Sequence, residues 1–169
     1  DRFARFREIL PDIDLRLTTV VDMPDFAADD VDVTIQWGFG AFAPHESTLL
    51  VRDPKVLCCA PAVAADLRTP QDLATLPLLH TSVAGDLWPN VLRHLGVEGA
   101  GKRADLRLQD AATMRRATLA GLGVGLLSTR DAAEDLMRGA LVAPFGAEAL
   151  ADLAVDQVPG FYLVVPKSH

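Results

Sequence analysis

The stretch DAATMRRATLAGLGVGLLSTRDA, Asp110 to Ala132, orders its elements as helix, then glycines, then strand. Gly121, Gly123 and Gly125 form a Gly-x-Gly-x-Gly series. A dinucleotide fingerprint needs the opposite order: strand, then glycines, then a helix whose N-terminus meets the phosphates, with an acidic residue about 20 positions on. The helix N-terminus that could hold an anion is at Asp110, a helix length away from the glycines. The glycines therefore read as packing devices. Gly121 ends the helix in a left-handed conformation, and Gly123 and Gly125 let the strand run close to neighbouring backbone.

Similar punctuation runs through the chain. Phe3, Phe6, Ile9 and Leu10 recur at helical spacing before Pro11. IDLRLTTV alternates and predicts a strand over 13–20; VDVTIQWG, STLLVRD, KVLCCAP, LPLLHT, RADLRLQ, LGVGLLS, ALVAPF and GFYLVVP predict further strands. Between them, Pro61 opens a short helix. TPQDLATLP begins another, with Thr69 as N-cap and Pro70 at the first helical position. Leu87, Val91, Leu92 and Leu95 line one face of GDLWPNVLRHLG. Asp110 caps the helix after RADLRLQ, and Thr129 caps TRDAAEDLMRG, which Gly139 closes. This alternation predicts an α/β architecture with mostly parallel sheet. Asp53-Pro54, between two strands and without hairpin-type residues, reads as a hinge between two lobes.

Composition removes several function classes. With 169 residues and half of them hydrophobic, the chain can bury a sizeable core, yet no apolar run approaches the ~18 residues of a membrane span. A net charge of −7 argues against gripping nucleic acid, which requires a basic face. His45, His80, His94 and His169 lack metal-ligand spacing, and His80 reads as hydrogen-bonded core or pocket wall. Asp29 to Asp32 (DDVD) lacks the glycine and distal glutamate of a calcium loop and reads as a solvated turn. Neither a metal nor a cofactor is expected. Ser47, Ser82, Ser128 and Ser168 have no nucleophile elbow. Cys58 and Cys59 sit side by side in a strand, where they point to opposite faces. They read as two small buried hydrophobes and not as a disulfide or nucleophile.

What remains is a set of polar and small groups at strand and helix ends: Thr19, Trp37, Gly38, Thr81, Ser82 and Asp110. In open α/β sheets ligands lie beyond the carboxyl ends of the strands. Hydroxyls and helix N-termini there suit a small anion such as a carboxylate. The same residues also read as ordinary caps and loop residues, and the residues alone leave both readings open.

The collinear series RFREILPDIDLRL, DVDVTIQWGFGAF, PKVLCCAPAV, LRTPQDLATLPLLH, LWPNVLRHLG, RATLAGLGVGLLS, GALVAPF and YLVVPKSH closely resembles the effector-binding domain of LysR-type transcriptional regulators. It is most similar to the branch of the glycine-cleavage activators and β-lactamase regulators. The resemblance implies a two-lobed, Rossmann-like fold of the type II periplasmic-binding-protein kind. Lobe I would hold residues 1–53 and 167–169, and lobe II residues 54–166. It further implies a bacterial, cytoplasmic homodimer or homotetramer without enzymatic activity. A small effector would bind between the lobes, and DNA contact would come through an N-terminal winged helix-turn-helix not in this chain. The segment is expected to be a trimmed piece of that longer protein, lacking the first strand and closing helix of lobe I. Thr19, Trp37, Gly38, Thr81, Ser82, Trp88 and Asp110 would line the effector cleft. Helix Phe3–Leu10 and the helix Asp110–Ala120 would form the dimer contact. Two positions depart from the family pattern: Gln36 stands where an arginine is usual, and Ala111 where a serine follows the helix-opening Asp. A solute-binding protein and a small dehydratase-like enzyme are the alternatives on the same fold, the latter with Asp110 as its acid or base.

Overall fold

The computed structural model describes residues 2–20, 22–82, 87–99 and 104–167. The sequence readings at Gly85, Asp86, Arg103, Ser168 and His169 lie outside these residues. The first helix, α1 (Arg2–Ile9), is followed by extended chain, then by β1 (Thr34–Gly38), β2 (Glu46–Arg52) and β3 (Lys55–Cys58). After α2 (Pro61–Ala64) and a 3₁₀ turn at Pro70–Ala74 come β4 (Leu79–Thr81), α3 (Leu87–His94), β5 (Leu106–Leu108) and α4 (Ala111–Leu119). The chain ends with β6 (Gly125–Ser128), α5 (Thr129–Met137), a 3₁₀ turn at Val155–Gln157 and β7 (Gly160–Val165).

The strands form two groups. β7 lies between β1 and β2, antiparallel to both. β3 pairs antiparallel with β6, β4 pairs parallel with β5, and a single parallel bridge, Leu78 to Val124, joins the two pairs. The chain passes between the groups at Asp53–Pro54 and returns before Gly160. There the Asp53 N–H donates to the Pro159 carbonyl at 2.9 Å, which ties the two crossings together.

The second group is a core sheet covered on both faces. Leu57, Cys59, Leu78, Val124 and Leu126 face one cluster, into which α3 inserts Leu87, Trp88 and Val91. Their strand neighbours Val56, Cys58, Leu79 and Leu127 face the other, filled by Met114 and Ala117 of α4 and Ala132 of α5. Alternation in the sequence thus becomes two layers of helix on one sheet. Val56, Leu57, Leu78, Leu79, Val91 and Val124 are at most 2% exposed. Each such side chain contributes about 1.5–3 kcal/mol of burial free energy. Cys58 and Cys59 fall in opposite clusters as free thiols.

The glycine series behaves as packing. Gly121 has φ +73°; its N–H bonds to the Thr118 carbonyl and that of Leu122 to the Ala117 carbonyl, which closes α4 in a Schellman motif. A methyl group on Gly123 would sit 2.5 Å from the Pro77 carbonyl oxygen, and one on Gly125 would overlap the Thr118 hydroxyl.

Several expectations are corrected. Residues 13–20 form no strand: Ile13, Leu15 and Leu17 alternate but are 50%, 38% and 65% exposed, and no ladder partner lies beside them among the described residues. Residues 140–145 contribute only one bridge, Val142 to Cys59. The sheet is not mostly parallel; among the described residues β4–β5 is the one parallel ladder. α5 is entered from Ser128, with Thr129 already helical, and no side chain caps it. The element after Thr69 is 3₁₀, although Thr69 stands at its N-cap as expected and forms a capping box with Asp72.

Candidate functional site

A cavity of about 450 Å³ opens between the two strand groups at the Asp53–Pro54 crossing. Its wall takes Trp37 from β1, Val51 and Arg52 from β2, Phe161 from β7, and Asp53, Pro54 and Lys55 from the crossing itself. The core sheet side supplies Leu79, His80 and Thr81 of β4, Leu126, Leu127 and Ser128 of β6, and the starts of three helices. Those starts are Leu87 and Trp88 of α3, Gln109 to Ala111 at α4, and Arg130 and Asp131 of α5. Met114, Arg115, Thr19 and Val20 complete it.

Thr19, Trp37, Thr81, Trp88 and Asp110, read from the sequence as cleft residues, therefore line one cavity. Gly38 and Ser82 do not. Gly38 lies in the ladder opposite Gly160, with the Phe42 ring where its side chain would be. Ser82 holds β4 to the strand beside it, through its N–H to the Leu108 carbonyl and its hydroxyl to that of Gln109. Gln36 is also absent from the wall. Its amide donates to Thr34 Oγ1 at 3.0 Å, on the strand face opposite to Trp37, so the usual arginine is not missing from this cavity. Ala111 does line it and brings no hydroxyl.

The electrostatic centre of the wall is a cluster that the sequence reading did not name. Asp53 Oδ2 accepts the Trp37 indole N–H at 2.7 Å and pairs with Lys55, whose ammonium stands 4.9 Å from the centre of the Trp37 ring. Both charged side chains are nearly buried, 7% and 10% exposed. Position gave a clue for Asp53 and Lys55, which sit at the Asp-Pro hinge, but their meeting with Trp37 depends on which way β1 and β3 turn their side chains. His80 is held by Asp105 at 3.2 Å, and Arg115 by the buried Asp135, whose other oxygen takes Arg138. Arg52 donates to the Val158 carbonyl at 3.0 Å and to the Tyr162 hydroxyl.

Asp110 accepts the Thr113 N–H at 2.7 Å. That backbone hydrogen bond holds its carboxyl below the usual range. The carboxylate is thus committed to capping α4. The thiols of Cys58 and Cys59 are pushed up, by burial above all, to about 12 and about 11, which leaves them protonated and unreactive at neutral pH. Among the described residues no group of three or more His, Cys, Asp or Glu is placed to hold a metal ion.

Residues 1–168 match the profile of the LysR substrate binding domain. The chain belongs to the LysR substrate-binding domain family. It is 31% identical over 171 residues to the glycine cleavage system transcriptional activator of Escherichia coli (strain K12), covering 99% of this chain and 54% of that protein. It is 32% identical over 148 residues to the transcriptional activator AmpR of Pseudomonas aeruginosa, covering 87% of this chain and 50% of that one. The chain spans about half the length of these relatives. Among solved structures it is similar to the effector domain of AmpR from P. aeruginosa, with a TM-score of 0.75 and 28% identity over 99% of this chain and 78% of that one. The AmpR effector binding domain from Citrobacter freundii gives 0.73 and 26% over 98% and 80%. The LysR substrate-binding fold is the two-lobed, periplasmic-binding-protein-like α/β architecture expected from the sequence.

Proposed function

We propose that this LysR-family domain senses a small metabolite, anionic in part, in the cavity between its two strand groups. It would thereby control transcription through a DNA-binding helix-turn-helix outside this chain. The observation that carries the reading is the position of the cavity. It lies across the Asp53–Pro54 crossing, where an occupant contacts both groups at once and biases the angle between them. Lobe I would take residues up to Asp53 and lobe II would begin at Pro54; β7, expected within lobe II over 54–166, pairs with β1 and β2, so the return to lobe I would fall before Gly160 and not at 166. Thr19, Trp37, Thr81, Trp88 and Asp110 are the effector contacts proposed from the sequence, joined now by Lys55, Arg52 and Arg130.

The domain acts without catalysis. Asp110, the one acid or base the sequence offered, is spent on its helix, and both thiols are buried and protonated. The working protein is a cytoplasmic homodimer or homotetramer. The apolar face of α1 supports this, with Phe3, Phe6 and Ile9 56%, 37% and 65% exposed. No helix is long and apolar enough to cross a membrane among the described residues.

The test is twofold. The gene upstream of Asp1 should encode a helix-turn-helix and a linker helix; an export signal there would make the chain a solute-binding protein instead. A thermal-shift screen of small carboxylates and amino acids, followed by X-ray scattering on any hit, should show a change in lobe geometry. A bound compound that leaves the scattering profile unchanged sinks the proposed mechanism.

A further inference from the structure

Most charges that line the cavity are already answered within the protein. Lys55 is paired with Asp53, Arg115 with Asp135 and His80 with Asp105, and the Asp110 carboxylate caps α4. Arg130 and Asp131 are neighbours of opposite charge at the exposed start of α5, where water screens both. Arg52 differs: it is half-buried, lines the cavity and has no ion pair among the described residues.

Its guanidinium is nevertheless held in place. Nη1 donates to the Val158 carbonyl at 3.0 Å and to the Tyr162 hydroxyl at 3.4 Å, which uses both of its hydrogens. Nε and Nη2 have no hydrogen-bond partner among the described residues. Those two nitrogens form the edge with which a guanidinium takes both oxygens of one carboxylate. A fork fixed at one corner has less freedom to lose when that edge is filled.

Hydrogen-bonding capacity is also open on the core-sheet side. The hydroxyls of Thr81 and Ser128 and the amide of Gln109 line the cavity without a partner among the described residues. The parallel bridge from Leu78 to Val124 sets β4 and β6 running the same way, so Thr81 and Ser128 end neighbouring strands. Ser128 lies across the ladder from Lys55, and the Thr129 N–H donates to the Pro54 carbonyl at 3.0 Å. That end of β6 therefore sits against the crossing that follows Arg52. The other strand group presents apolar side chains that remain open, Val51 and Phe161 at 38% and 39% exposed.

Resting on the reading of this cavity as the effector site, we infer that Arg52 is its anion-binding residue and that the occupant is a hydroxylated carboxylate. The carboxylate takes the Nε–Nη2 edge of Arg52, the hydroxyl groups meet Thr81, Gln109 and Ser128, and an apolar flank lies against Val51 and Phe161.

The experiment titrates the protein with cis-3-hydroxycyclohexanecarboxylate, cyclohexanecarboxylate and 3-(hydroxymethyl)cyclohexanol. The three share a ring and differ in carboxylate and hydroxyl. Binding is read by calorimetry and by the Trp37 indole N–H resonance. The hydroxy acid should bind about tenfold more tightly than the diol, which lacks the charge-assisted bonds, and about threefold more tightly than the plain acid. Arg52→Gln should remove the preference for acid over diol and leave the diol unchanged, an outcome that lost packing alone would not give. Arg52→Lys, which keeps the charge but not the edge, should restore only part of the preference. Thr81→Val with Ser128→Ala should bring the hydroxy acid down to the plain acid. In the wild type, a diol that matches the acids overturns the carboxylate, and a plain acid that matches the hydroxy acid overturns the hydroxyl partners. These two comparisons need no variant to fold. Loss of the acid preference in Arg130→Gln but not in Arg52→Gln overturns the assignment to Arg52. If none of the three probes moves the Trp37 resonance, the ligand class falls. The effector-site reading is decided separately, by the thermal-shift screen and the scattering of its hits.

Discussion

Adding one methyl group at each glycine of the Gly121–Gly125 series separates three physical costs that the sequence motif alone confounds. At Gly121 the added carbon meets nothing nearer than 3.7 Å, but φ is +73°. The cost of Gly121→Ala is the left-handed conformation alone, about 1 kcal/mol. At Gly123 the added carbon would lie 2.5 Å from the Pro77 carbonyl oxygen, a backbone atom. That oxygen also accepts the Val124 N–H at 2.9 Å, and the Val124 carbonyl in turn accepts the Leu79 N–H at 2.9 Å. Any shift that relieves the clash strains both bonds, so overpacking and lost hydrogen bonding add to about 3 kcal/mol. At Gly125 the obstacle is a side chain, Thr118, which is fully buried and fixed by its hydroxyl to the Met114 carbonyl at 2.8 Å. Gly125→Ala alone should cost about 2 kcal/mol. In a Thr118→Ala background the space opens, and the same change should cost about 1 kcal/mol less, a coupling that a double-mutant cycle reads directly. Urea unfolding is the assay, with midpoints falling and m-values unchanged. Gly123→Ala proving no worse than Gly121→Ala, or strict additivity of Gly125→Ala with Thr118→Ala, would refute the close-approach account.

Three further outcomes are expected. Asp53→Ala strands the nearly buried Lys55 ammonium and removes the Trp37 acceptor, so it should destabilise by about 3 kcal/mol in urea. The double change Asp53→Leu with Lys55→Met should restore most of that loss. Asp72 and Asp110 have their carboxyls held below the usual range, first of all by the Thr69 and Thr113 backbone N–H groups. Their contribution to stability is therefore full above the unfolded carboxylate pKa of about 3.9 and is lost as pH falls through the lower folded values. The fall in unfolding midpoint on acidification should be shallower in an Asp72→Asn, Asp110→Asn variant than in wild type. Cys58 and Cys59, with pKa values pushed to about 12 and about 11, should resist iodoacetamide at pH ~8 in the folded chain and react once urea unfolds it. Rapid alkylation of the native protein would contradict their burial.

Local chemistry was legible in the sequence wherever one residue decides it. The Asp110 cap, the Thr69 N-cap position and the helix ends at Gly121 and Gly139 each follow from a single side chain or its absence. The opposite facing of Cys58 and Cys59 follows from strand period alone. What failed needed a partner. Residues 13–20 alternate as well as β1 does, but a strand is a hydrogen-bonded pair, and no described neighbour completes the ladder. Strand–helix alternation suggested parallel neighbours. β3, however, lies against β6 in the opposite sense, because the chain enters the core sheet from the crossing at Asp53–Pro54 and not from a helix.

The cavity shows the same division. Thr81 and Asp110 stand at element ends, so the rule that ligands lie beyond strand termini pointed to them without any knowledge of topology, whereas Trp88 came only from the resemblance. Arg52 and Lys55 directly flank an Asp-Pro pair that reads as a hinge, yet nothing local says that they turn inward. Their direction is set by the return of the chain. The Asp53 N–H reaches the Pro159 carbonyl across 106 positions of sequence, and the Asp53 carboxylate gathers Trp37 and Lys55 from the strands on either side. One residue thus joins the outgoing crossing, the returning crossing and the wall of the cavity. On the proposed mechanism, a ligand that moves the Trp37 ring would work against that bond, and Asp53 would couple occupancy of the cavity to the angle between the two strand groups.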